Sequence, residues 1–290
     1  MRNLLSANFL RLRKSILFWL PVLGMLAYGL FSALSIVRSA KANPVGWPSG
    51  FGFDFLCFRY VLPLGLVLAA FTGLFFGAEH SDGGLRRKLS TGRLRGSVYA
   101  ADLLTSFGMC LALCAAYLLP VLTLVPLLAG GRLRMGAGPF LLTLLATLAM
   151  GAAFCSCFLL VYMNCANKAA ACAVCLGLVG CLLFFSSNII GDALRQSEYL
   201  LTMVENEAGE FVEGGQVPNP LYPAEWKRAV YWFLYNVLPT GQTAQYMDTL
   251  ILYGTLDGIQ EPAKLPLYAL TVAAVSTAAG LLLFRKKDLK

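Results

Sequence analysis

The chain has 290 residues, of which 58% are apolar and 13% charged, with a formal net charge of +8 and a mean hydropathy of +0.68. Charged residues are about half as frequent as in soluble domains, and they fall into clusters separated by long uncharged stretches. This excludes a water-soluble globular domain and points to a chain whose main solvent is a lipid bilayer.

The first 14 residues place Leu4, Leu5, Phe9 and Leu12 at near-helical spacing beside Arg11, Arg13 and Lys14. That pattern predicts a short amphipathic helix lying in the membrane interface. An uncharged stretch follows over 16–37, long enough to cross a hydrocarbon core of about 30 Å at about 1.5 Å per residue. A secretory signal peptide is the competing reading, since Ala40 and Ala42 form an Ala-x-Ala pattern. The run exceeds the usual apolar core of such a peptide and further spans follow it, so an uncleaved first span is expected.

The second span covers 60–78, and in it Gly65, Ala69, Gly73 and Gly77 recur every four residues. Small residues at that spacing let helix backbones approach closely in lipid, either inside one chain or between subunits. A basic inner loop over 79–102 leads to a third span at 103–128, where Pro120 and Pro126 are expected to kink the helix. A fourth span covers 140–163. The fifth, 169–190, carries a second small-residue stripe of Ala169, Ala173, Gly177 and Cys181.

Between spans five and six lies a long outer segment, 191–264. Its acidic, Gly/Pro-rich first half reads as a solvated excursion. Trp226, Val230, Phe233, Leu234 and Val237 then predict a helix ended by Pro239 and Gly241. The apolar run there is too short for a seventh crossing, and a helix lying in the outer interface is expected instead. The sixth span covers 265–284.

The expected fold is therefore an all-α membrane protein, a single domain with six transmembrane helices. Lys and Arg fix its orientation: with the N-terminus inside, 14 of the 23 basic residues fall on the cytoplasmic side. Both termini are then cytoplasmic, in the cell membrane. The basic balance follows from topology, with no need for nucleic acid as a partner.

Nine cysteines lie in or beside apolar runs, and Cys172 and Cys175 form a C-x-x-C with no second ligand pair. They are expected to act as small apolar residues, with no metal site. The spans contain no acid, base or histidine that could relay an ion or attack a substrate, and no G-x-x-x-x-G-K-[ST] loop occurs. No catalytic residue is expected, and any work must draw on a partner's energy.

The inner stretch FFGAEHSDGGLRRKLSTGRLRGSVYAAD, residues 75–102, resembles the first cytoplasmic loop of type 2 ABC exporter permeases. Glu79, Asp82, Gly83, Leu85, Arg86, Lys88, Leu89, Gly92 and Arg95 fit that family's pattern, with Gly84 as an extra residue. The start MRNLLSANFLRLRKSILFW, the LPTGQ at 238–242 and the end FRKKDLK are similar to the corresponding parts of these permeases. The resemblance implies a permease that works as a dimer, a homodimer or a pair with a related permease, with a separate cytoplasmic ABC ATPase that binds ATP and Mg. The 79–97 loop would couple the two: Glu79 would anchor it, while Arg86, Arg87, Lys88, Arg93 and Arg95 would touch the ATPase or lipid headgroups. Spans two and five would face the second copy or the conduit. The cargo would be an amphipathic compound, peptide or lipid moved outward. The alternatives are a non-transport membrane component, such as a sensor or assembly factor on the same fold, and an intramembrane enzyme.

Overall fold

A computed structural model describes residues 2–47, 50–81, 84–90, 92–165, 168–205, 211–249, 259 and 261–286. Among them, six helices are long and apolar enough to cross a membrane: Ile16–Ala42, Asp54–Gly77, Arg95–Ala129, Ala137–Asn164, Ala169–Arg195 and Leu265–Lys286. All six sequence-predicted spans are present, several extending beyond the apolar run that announced them.

The chain opens with α1 (Arg2–Lys14) and α2 (Ile16–Ala42). Ser15 separates them, its extended backbone and side-chain oxygen capping Leu17 N at 3.2 Å. A single turn, α3 (Asp54–Cys57), leads into α4 (Val61–Ser81), which is followed by the short α5 (Gly84–Ser90) and the long α6 (Arg95–Ala129). Helix α6 runs unbroken through Pro120 and Pro126 and ends at Gly130 in the left-handed region, with φ +64°. Helix α7 (Ala137–Asn164) returns. Span five is α8 (Lys168–Phe184), a π-helical stretch Phe185–Gly191 and α9 (Asp192–Arg195).

The bundle packs α2 on α6, α4 on α8 and α12 (Leu265–Lys286) on α7. Close approach is bought with glycine at particular points: a Cβ at Gly29 would sit 2.5 Å from the Tyr117 carbonyl oxygen, and one at Gly151 would collide with the Cys110 sulfur. Large side chains such as Tyr60, Leu68, Tyr117 and Phe158 fill the interior. Two buried hydroxyl pairs bridge elements, Tyr60 with Thr147 at 2.7 Å and Ser156 with Ser276 at 2.6 Å. At the outer end the buried Asp54 carboxylate accepts from Arg134 N at 3.0 Å and Met135 N at 3.1 Å, bolting the loop before α4 to the loop after α6.

Two segments between the spans carry structure that the sequence pattern did not specify. The inner segment 79–102 holds the short helix α5, and α6 begins at Arg95, eight residues before the uncharged run that starts at 103. The outer segment is not helical throughout: β1 (Tyr199–Glu205) and β2 (Phe211–Pro218) form an antiparallel hairpin, with a register shift between Thr202 and Met203. Beyond it, α10 (Glu225–Val237) ends where expected, but Pro239 does not stop the helical path. It opens α11 (Pro239–Tyr246) at the first helical position, where its missing N–H costs nothing.

Candidate functional site

The basic inner segment assembles around α5. Its C-terminal turn closes at Gly92, whose φ of +76° only glycine adopts freely and whose N–H donates to Leu89 O at 3.0 Å. From there the chain enters α6 directly, so α5 hangs from the N-terminal end of span three by a few residues.

Three polar ties lock this region to the bundle. Asn8 of α1 donates to Asp102 Oδ1 of α6 at 2.7 Å, and Lys88 Nζ of α5 lies 3.0 Å from Asn8 Oδ1 and 3.5 Å from Asp102 Oδ1. The Asp102 side chain is 2% exposed, so its charge is acceptable there because Lys88 and Asn8 replace water. Arg11 donates to Phe75 O at 2.7 Å and lies 4.3 Å over the Phe75 ring, holding α1 to the inner end of α4. Arg95 donates to the carbonyls of Phe284 and Arg285, both at 2.9 Å, and so caps the C-terminal end of α12 with a cation where the helix dipole is negative. Tyr162 of α7 donates to Phe76 O nearby. Lys88 thus joins α5 to α1 and span three, while Arg11 joins α1 to span two and Arg95 joins span three to span six.

Of the residues singled out in this segment, Arg87 and Arg93 are exposed, while Lys88 and Arg95 are half-buried and turned to the chain's own helices. Asp82 and Gly83 lie outside the described residues, as do the side chains of Glu79 and Arg86. Asn8 and Asp102 were not foreseen as a pair. The one sequence signal was a polar residue on the Leu4–Leu12 face of α1 and an acid at the edge of an uncharged run.

The two small-residue stripes part company. In span two a Cβ on Gly65 would meet Phe154 at 3.1 Å and one on Gly73 would meet Cys172 Cβ at 2.6 Å, while Ala69 and Gly77 are buried. That stripe packs inside the chain, against spans four and five, rather than on an outer face. In span five Ala173 and Gly177 are exposed, and nothing lies within 4 Å of a Cβ built on Gly177 or Gly180. That stripe opens outward.

At the outer end Trp226 and Phe233 point their rings away from the bundle, 67% and 62% exposed, and α11 is wholly buried. Gly241 allows this: a Cβ there would stand 2.5 Å from Tyr235 O. The polar side chains of α11, unpredicted as a group, stitch the segment to the spans. Gln242 Nε2 donates to Asn236 O at 2.7 Å and Leu265 O at 3.1 Å, and Gln245 Nε2 to Tyr235 O at 2.7 Å and Asn236 Oδ1 at 2.9 Å. Irregular, polar backbone is tolerated at such a place because protein, not lipid, surrounds it. Nearby, Tyr235 donates to Asp248 Oδ2 at 2.8 Å, and Asp248 pairs with Arg195 at 3.2 Å. Burial, then the Asp248 charge, pushes the Tyr235 hydroxyl well above its usual range, so it stays a donor at any physiological pH.

The nine cysteines are free thiols, and among the described residues no group of His, Cys, Asp and Glu could hold a metal ion. A family model described as ABC-2 family transporter protein matches residues 4–184, which takes in α1, the tethered α5 and the chain to the end of α8. No curated protein matches the chain.

Proposed function

The chain belongs to the ABC-2 family of transporter proteins, and from that membership we propose that it is the permease subunit of an ATP-driven exporter. It works as a dimer with a second permease copy and is driven by a separate cytoplasmic ABC ATPase, which binds the ATP and Mg2+. It sits in the cell membrane with both termini in the cytoplasm, as the basic asymmetry of its loops requires.

The observation that carries this reading is the tethering of α5. A helix with Arg87 exposed and Lys88 tied to α1 and α6, followed by an exposed Arg93 in the link to α6, has the construction of a lever: one side for a partner, one for the spans. Arg95, which caps α12 from the first residue of α6, extends the linkage to the last span. The uncharged runs of the spans hold no Asp, Glu, Lys, Arg or His and the sequence holds no phosphate loop, which favours force entering from a partner. Among the residues first assigned to ATPase contact, the basic pair Arg87 and Arg93 keeps that role. Lys88 and Arg95 transmit within the chain.

The test is a triple variant, Glu79→Ala with Arg86→Ala and Arg87→Ala. It inserts normally but loses co-purification with the ATPase by more than tenfold, since a few partly buried charge contacts at about 1–3 kcal/mol each set the association. ATP-dependent transport into inverted vesicles falls with it. Wild-type levels of both would remove the coupling role.

A further inference from the structure

Span one leans on span three, with Gly29 against Tyr117, and so leaves its side toward span two open. A groove of about 590 Å3 results, between α2 and α4, running from Leu17 and Leu74 at one end to Tyr28 and Leu62 at the other. Pro21 and Gly24 shape its α2 wall, and no atom lies within 4 Å of a Cβ built on Gly24. We propose that this groove holds one acyl chain of an anionic phospholipid, with the headgroup beneath the cations of α1. The site is independent of the transport reading.

Size selects the occupant. Twelve residues of helix from Leu17 to Tyr28 span roughly 17 Å, about half of a ~30 Å hydrocarbon core and so the depth of one leaflet. Spread over that length, 590 Å3 leaves a cross-section of about 35 Å2, narrower than a helix some 10–12 Å across with its side chains. A single extended hydrocarbon chain fits inside it, whereas a helix of a second copy would rest across its rim. The lining is apolar throughout, and at this depth the competing solvent is lipid rather than water.

Charge selects the headgroup. The Leu17 and Leu74 end of the groove continues through Phe71, which lines it, to Phe75, stacked on Phe71 at 5.1 Å and 17°. Arg11 lies over that second ring at 4.3 Å. Lys14 is exposed and stands three residues before Leu17. Helix α1 carries four basic residues and no acid of its own. Such a pairing of a basic interfacial helix with an apolar slot is complementary to an anionic lipid of that leaflet.

The chain is reconstituted in bilayers of equal phosphatidylglycerol and phosphatidylcholine, extracted in mild detergent, and weighed intact by native mass spectrometry. The wild type keeps one phosphatidylglycerol per chain. Gly24→Leu, whose side chain fills the slot from its open side, lowers that retention about tenfold with the oligomeric state unchanged. Lys14→Gln, an exposed change that leaves the core untouched, reduces the preference for phosphatidylglycerol about fivefold. Three results overturn the proposal: no lipid retained by the wild type, equal retention in Gly24→Leu, or a Gly24→Leu variant that loses its oligomeric state and keeps its lipid. The last would make the groove a seat for another copy.

Discussion

Lys88→Met destabilises the folded chain by about 3 kcal/mol, and adding Asp102→Asn recovers most of the loss. Removing one partner of a buried ion pair leaves an uncompensated charge, at a cost of about 3–5 kcal/mol. The lower end applies here because the Lys88 side chain is still 18% exposed, against 2% for Asp102. Neutralising the carboxylate removes that penalty, and an asparagine at 102 still accepts from Asn8, which now lies 2.7 Å from Asp102 Oδ1. A double-mutant cycle on denaturation midpoints in micelles measures the coupling. Additive costs would mean that the two side chains are not paired in the folded chain.

Gly73→Leu and Gly177→Leu, alike in sequence context, are expected to fail in different ways. At Gly73 even a Cβ meets Cys172 at 2.6 Å, and a leucine must push spans two and five apart. Overpacking of that kind costs about 1–3 kcal/mol or more, so Gly73→Leu lowers the yield and thermal midpoint of the folded chain. A Cβ at Gly177 meets no described atom within 4 Å, and Gly177→Leu is expected to leave both unchanged. Its effect falls on association: cross-linking between copies in membranes drops if the exposed face of span five is the dimer contact. Unchanged cross-linking in Gly177→Leu assigns that face to lipid. A folded, fully stable Gly73→Leu would contradict the packing of span two.

What the sequence made legible was set by how locally each feature is encoded. The six spans could be read because bilayer thickness imposes a length of uncharged helix that few other structures need. Their ends were less accessible. Asp102 looked like a loop charge that must lie outside span three, and partners from other elements, Asn8 of α1 and Lys88 of α5 among them, make it acceptable within α6. The family pattern of residues 75–102 was visible and the family match covers it, yet the division of its basic residues into outward-facing and inward-facing was not. Arg93 and Arg95 are two residues apart with the same charge. Arg95 differs because the end of α12, 190 residues on in the sequence, comes to meet it.

The outer segment shows the other limit. The motif LPTGQ suggested a helix end, since proline and glycine together usually mark one. In the structure, Pro239 begins a helix, and Gly241 is needed for the close pass by Tyr235 rather than for termination. Nothing in the sequence marked Gln242 or Gln245 as buried. Gln242 and Gln245 are buried because the carbonyls of Tyr235, Asn236 and Leu265 need donors there, a requirement that arises only once the spans are assembled.

The central claim, that α5 seats in a cytoplasmic ATPase, is tested most directly by site-specific photo-cross-linking in membranes containing both proteins. A photoreactive residue placed at Arg87 or at Arg93 should capture the ATPase, and one placed at Trp226 should capture none. Capture from position 226, or none from 87 and 93 while the two proteins still co-purify, would contradict the account.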